Sequence, residues 1–188
     1  MRELEGRLAR TEQQLRLFQR VSRFLVQDLS LKDVLHGVVD LVVEFTACDS
    51  CLIYLLDRDE LVLCASNRNR PEDIGKIRLR MAEGLTGWVA RERRLLSISK
   101  GCYQDPRFKA FGFLPEDHFE AFLSVPVIAR GHVVGVINVE HREPHQHTGY
   151  EMEMLTTVGE QVGCALVLAR MAGETVRTSS LVELVLAS

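Results

Sequence analysis

Two groups of side chains in this sequence have the types and spacing to bind a metal or to react. Cys48 and Cys51 stand three positions apart, a separation at which two thiolates chelate zinc or close a disulfide. A closed zinc site needs a second pair. With Cys48 ending a turn and Cys51 opening an apolar run, packing is the expected role of both. His141, His145 and His147 gather within seven residues, and neutral imidazoles at such intervals suit a transition metal. Beside Pro144 and Gln146 they read as solvated loop residues, so no metal ligand is assigned. Cys102 has no resolving cysteine near it, and nothing in the sequence argues for a lowered thiol pKa. The Gly-x-Ser-x-Gly turn that presents a serine nucleophile is absent. No catalytic residue and no cofactor are assigned.

Composition narrows the classes further. A formal net charge of −3 gives no basic face for phosphates, which argues against nucleic acid as a partner. In residues 1–20 five Arg outnumber three Glu, which reads as a solvated helix. No run approaches the roughly 18 apolar residues that cross a bilayer. The charged amino terminus lacks the apolar stretch of a signal peptide, so the expected location is cytoplasmic, away from any membrane. Five cysteines, Cys48, Cys51, Cys64, Cys102 and Cys164, are an odd number in apolar surroundings, as reduced and mostly buried thiols would be.

The elements that must position these residues follow from periodicity. Leu4, Leu8, Thr11, Leu15, Phe18, Ser22, Leu25 and Leu29 repeat at alternating steps of four and three, the pattern of a coiled-coil seam weakened by Thr11 and Ser22. One helix cannot bury such a seam, so a dimer interface at Leu4, Leu8, Leu15, Phe18 and Leu25 is expected. Ser30 is placed to cap a second helix carrying Leu31, Val34, Leu35, Val38, Leu41, Val42 and Phe45 on one face. Strand signals follow at 51–56, 61–65, 77–80, 95–99, 121–129 and 132–140. Arg130 and Gly131 mark a tight hairpin between the last two. Pro126 must sit at an edge, a bulge or a non-bonded position. From Gly149 to Met171 a helix presents Leu155, Val158, Val162, Ala165, Leu166 and Ala169. The fold class is α+β, with an amino-terminal helix at 1–29, a domain at 30–171 and a helical tail at 172–188. The tail's apolar stripe, Leu181, Leu184 and Val185, is expected to pack on the amino-terminal helix or on another subunit.

The string from Glu83 to Ala90, with Gly84 and Gly87 framing a turn that launches a helix, is followed by Asp105 to Phe108, Ser124 to Val127 and the hairpin Gly131 to Val139. In that order and register, these four motifs resemble the GAF domain family from roughly residue 15 to residue 171. Ile74 to Leu79 and His141 to Pro144 look most like the amino-terminal GAF domains of nitrogen-type phosphotransferase enzymes I. The phosphotransfer regions of such enzymes would need hundreds more residues, so their activity is not carried over.

The resemblance implies a six-stranded antiparallel sheet with the terminal helices on one face and a ligand pocket on the other. It places the pocket roof in the connections Gly84 to Arg91 and Ser99 to Phe113. These contribute Leu85, Thr86, Trp88, Tyr103, Phe108 and Phe111, with Arg78 and Asn138 as polar contacts from the sheet. Cyclic-nucleotide-binding members carry an Asn-Lys pair where this chain has His141 and Arg142, and a Phe where it has His147, which argues against that ligand. The paired Cys-His of bilin attachment is missing. The expected function is sensory or regulatory and not enzymatic: binding an unidentified small molecule, signalling through a homodimer of terminal helices and addressing a downstream signalling protein. A purely structural dimerisation module is the competing reading. Free methionine sulfoxide reductase activity through Cys102 is a third, weakened by the absence of the family's neighbouring cysteine.

Overall fold

A computed structural model describes residues 30–68, 70–109, 118–173 and 180–187, together with residues 6, 8, 11, 12, 15, 16, 19, 20, 22 and 23, all ten of which are helical. Helix α1 (Leu31–Thr46) begins where Ser30 accepts a hydrogen bond from the Asp33 amide, and it ends at Ala47 in the left-handed region. Its buried face is Val34, Leu35, Val38, Val39, Leu41 and Val42, the i, i+3, i+4 stripe of the sequence. Arg20 donates to both carboxylate oxygens of Glu44 at 2.8 Å, tying the amino-terminal segment to α1.

Strands β1 (Ser50–Asp57), β2 (Glu60–Ser66), β3 (Arg78–Arg80), β4 (Leu96–Ile98), β5 (Ala121–Ala129) and β6 (His132–His141) form one antiparallel sheet in the order β3-β2-β1-β6-β5-β4. The turn between β5 and β6 has φ of 51° at Arg130 and 80° at Gly131, the pair of positive angles a two-residue hairpin demands. Pro126 pairs with Val136 on β6, while β4 ends opposite Ser124, so the missing amide hydrogen falls where β5 has no second neighbour. Helix α2 (Gly84–Glu92) covers one face of the sheet; α3 (Gly149–Gly173) and α4 (Leu181–Ala187) join α1 on the other.

The two faces sort by strand parity. Ile53, Leu123, Val125, Ile137 and Val139 enter one core with α1, with Leu155, Val158, Val162 and Leu166 of α3, and with Val182 and Val185 of α4. Their neighbours Leu52, Tyr54, Leu63 and Val136 enter a second core beneath α2. Gly163 lets α3 lie against β5: a Cβ there would stand 2.5 Å from the Ile128 carbonyl oxygen.

The expectation for the tail is corrected here. The stripe of α4 packs into the core of its own domain, Val182 and Val185 being 2% and 1% exposed, so it needs neither the amino-terminal helix nor a second subunit. A seven-residue helix can bury only a short stripe, and here α4 lays it against α1, β1 and β2. Of the proposed seam, Leu4, Phe18 and Leu25 lie outside the described residues, while Leu8 and Leu15 are 61% and 56% exposed. No helix among the described residues is long and apolar enough to cross a membrane.

Candidate functional site

On the face of the sheet opposite α1 and α3 lies a cavity of about 330 Å³, within the size range of small-molecule sites. Period-two alternation builds its floor: Leu52 and Tyr54 of β1, Leu63 of β2, Leu79 of β3, Phe122 of β5, and Asn138 and Glu140 of β6 all point to this side. The roof comes from Leu85 and Thr86 at the start of α2 and from Cys102, Phe108 and Phe119 in the connections around it. Glu83 fastens that roof, its carboxylate accepting from the Arg80 amide at 2.9 Å and from Lys109 at 2.5 Å. Gly87 allows α2 to seat this closely, since a Cβ there would come within 2.7 Å of the Arg80 carbonyl oxygen.

Three buried polar groups cross the interior in line. Ser124 donates its hydroxyl hydrogen to Asn138 Oδ1 at 2.7 Å, and Asn138 Nδ2 donates to Thr86 Oγ1 at 2.7 Å. Ser124 and Asn138 are register partners on β5 and β6, so the sheet itself sets the first bond and the second binds α2 to the sheet. At the rim Arg68 donates to Glu140 at 3.0 Å and to Ser50 at 3.1 Å, with its guanidinium 5.1 Å from the Phe119 ring centre. Arg70, Asp73, Lys109 and His118 complete a rim of mixed charge.

Of the residues singled out in the sequence, Leu85, Thr86, Phe108 and Asn138 line this cavity and Phe111 lies outside the described residues. Arg78 does not reach it. On β3 the buried position is Leu79, and Arg78 points outward to Glu60 at 3.2 Å and Asp57 at 3.9 Å. Trp88 packs into the second core with the Arg107 guanidinium 4.6 Å above its ring. Tyr103 is 40% exposed and meets His118 edge-on. Sequence reasoning passed over Tyr54, Phe122 and Glu140; strand parity from Asn138 reaches Glu140 and parity from Leu52 reaches Tyr54, whereas Phe122 comes to the cavity through its pairing with Glu140. Arg68 carries no such signal, because it enters from the β2–β3 connection.

Cys102 lines the cavity, and its thiol donates to the Phe119 carbonyl at 3.0 Å. Burial, aided by the negative charges of Glu140, Glu120 and Asp105, pushes this thiol up to about 12, so it stays protonated at neutral pH. Cys48 and Cys51 are both buried and unlinked, each with its thiol pushed up by burial.

Residues 30–166 match the family model of the GAF domain. The chain belongs to the GAF domain family. The chain is 27% identical over 164 residues to the Nif-specific regulatory protein of Azospirillum lipoferum, covering 84% of this chain and 26% of that protein. It thus spans about a quarter of the length of that curated relative. The crystal structure of the GAF domain from an Acinetobacter phosphoenolpyruvate-protein phosphotransferase superposes with a TM-score of 0.76 at 28% identity, covering 86% of this chain and 98% of that one. This bears out the likeness read from Ile74 to Leu79 and His141 to Pro144. Free methionine-R-sulfoxide reductase from Neisseria meningitidis shares the fold at a TM-score of 0.68 and 17% identity, over 83% of this chain and 89% of that one.

The histidines of this GAF domain correct the reading of them as solvated. His141 and His147 are each only 6% exposed, because His141 ends the last strand and His147 is drawn under β4 by a 3.0 Å contact between its Nδ1 and the Ser97 hydroxyl. Burial lowers the pKa of His147 to about 4 and that of His141 below its usual value, with the His145 ring adding to both shifts.

Proposed function

We propose that the domain is a sensory or regulatory module that binds a small organic molecule in the cavity and passes occupancy to its helices. The observation that carries the reading is the position of the cavity. Its polar core, Asn138 and Thr86, sits on β6 and on the roof helix, while the neighbours of Asn138 on β6, Ile137 and Val139, pack beneath α1 and α3. A ligand that draws α2 towards β6 therefore acts on a strand whose other face carries the helices. Such coupling requires the ligand to prefer one helix arrangement over the other. The apolar walls and charged rim suit a molecule with an apolar body and a polar or charged end.

Signalling is proposed to run through a homodimer of the amino-terminal helices, to which the exposed Leu8 and Leu15 of the four-three repeat contribute, towards a downstream signalling protein. The test is mass spectrometry of molecules released from the purified protein, followed by thermal denaturation with each compound added back. A specific compound should raise the midpoint of the wild type and not that of Leu63→Trp, in which the indole fills the cavity. If no compound is recovered and none shifts the midpoint, the structural dimerisation module is the better reading. The hydrogen bonds that Ser124, Asn138 and Thr86 make to one another favour that alternative.

Reductase chemistry through Cys102 is disfavoured. Its thiol is held protonated, and no second cysteine lines the cavity among the described residues. Turnover of free methionine sulfoxide by the wild type that is lost in Cys102→Ser would reverse this.

A further inference from the structure

We propose that His141, His145 and His147 form a binding site for a divalent transition-metal ion, with Zn²⁺ the best match, at the junction of β4, β6 and α3. One ring nitrogen from each lies within 4.8 Å of the others. The rings of His141 and His145 stack at 4.1 Å, and that of His147 stands 5.5 Å and 5.0 Å from them. None of the three lines the cavity, so the proposal stands apart from the sensory reading.

The hydrogen bonds around the cluster leave its nitrogens ready to ligate. Nε2 of His141 and Nε2 of His147 are buried without a hydrogen-bond partner, a state that a bound ion would relieve. His147 meets the Ser97 hydroxyl through Nδ1, which frees the lone pair of Nε2 when Nδ1 carries the proton. His145 meets Glu151 Oε1 through Nε2 at 2.7 Å, which leaves Nδ1 as its ligand atom. Glu151 is itself fixed: its second oxygen accepts from the Thr148 amide and hydroxyl, and its own amide donates to Thr148 Oγ1, a capping box at the start of α3. A carboxylate behind one imidazole and a hydroxyl behind another is the outer shell that orients metal-bound histidines.

The loop is pinned from both sides, with the His145 amide donating to the Ser99 carbonyl at 3.0 Å and Thr148 opening α3. Tetrahedral Zn²⁺ with bonds of about 2.0–2.1 Å holds its nitrogens about 3.3–3.4 Å apart and lies in the plane of each ring, so on loading the rings must draw together and the stacked pair His141 and His145 must tilt out of parallel. Of the three rings that of His145 is the least buried, and a turn about its own side-chain bonds leaves the backbone bond to Ser99 in place. Three imidazoles leave a fourth position open to water. Soft thiolates are not involved, since the only cysteine in α3, Cys164, is exposed and separate from the cluster.

The test is titration of the full, chelator-stripped chain with Zn²⁺ against a chromophoric chelator, and with Co²⁺ followed by its visible absorption. One equivalent should bind. Affinity should fall at least 100-fold in His145→Gln and in His147→Gln, and about 10- to 100-fold in Glu151→Gln, with Cys164→Ser unchanged. Should His147→Gln fail to fold, imidazole nitrogen resonances of the wild type answer the same question, because Zn²⁺ should shift three histidines together. Absence of a stoichiometric site, affinity indifferent to the histidine substitutions, or resonances of all three unmoved would each overturn the proposal.

Discussion

The side-chain amide of Asn138 donates to the hydroxyl of Thr86 across 2.7 Å inside the protein, and this one bond joins the central strand β6 to the helix that roofs the cavity. Asn138 is 1% exposed and Thr86 7%, so both groups are shut away from bulk water. The other end of the amide accepts from Ser124, and the three residues hold floor and roof at a fixed separation.

Asn138→Leu should therefore destabilise the domain by about 1–3 kcal/mol, because it strands the hydroxyls of Ser124 and Thr86. Urea denaturation gives the number. In a double-mutant cycle with Thr86→Val, the losses should be less than additive by about 0.5–3 kcal/mol, as for residues that share one network. Strict additivity would show that the bond contributes nothing.

Gly163→Ala should lower stability even though alanine is the better helix former by about 1 kcal/mol. The added Cβ would meet the Ile128 carbonyl oxygen at 2.5 Å and push α3 off β5. A raised unfolding midpoint would mean that α3 sits farther from the sheet.

Thiol reactivity should be graded by burial. Under native conditions only Cys164 should alkylate quickly, since it is exposed while Cys48, Cys51, Cys64 and Cys102 are buried. Burial also pushes the Cys64 and Cys102 thiols up to about 12, removing the reactive thiolate at neutral pH. Intact mass after a short pulse of iodoacetamide should show one adduct, rising to five in denaturant.

Leu8→Glu combined with Leu15→Glu should convert a dimer into a monomer without changing the unfolding of the sheet domain, because both side chains are exposed in the single chain. Light scattering coupled to size exclusion reads the mass. An unchanged mass would remove the amino-terminal helix from the assembly.

Much of the architecture is written locally. The i, i+3, i+4 stripe from Leu31 to Phe45, the cap at Ser30, the hairpin turn at Arg130 and Gly131 and all six strands follow from spacing and turn chemistry between near neighbours, and each is found within a residue or two of its expected place. Those features depend on periods of two or 3.6 that a short window contains. The candidate site was legible only in part. Asn138 and Thr86 stand 52 positions apart and meet because β6 is central in the sheet and Gly87 lets α2 close upon it.

Arg78 shows what local pattern leaves open: on a three-residue strand, one step of parity decides between cavity and solvent, and Leu79 takes the cavity side. The histidines show it again. Their spacing was visible, but burial of His141 and His147 depends on β4 passing beside the loop with Ser97, and the orientation of His145 on Glu151 at the head of α3. By itself the sequence determined the elements and their apolar faces, because these rest on contacts between near neighbours along the chain. Only the tertiary structure decided which polar groups are shut away from water and with whom, because that depends on partners tens of residues distant.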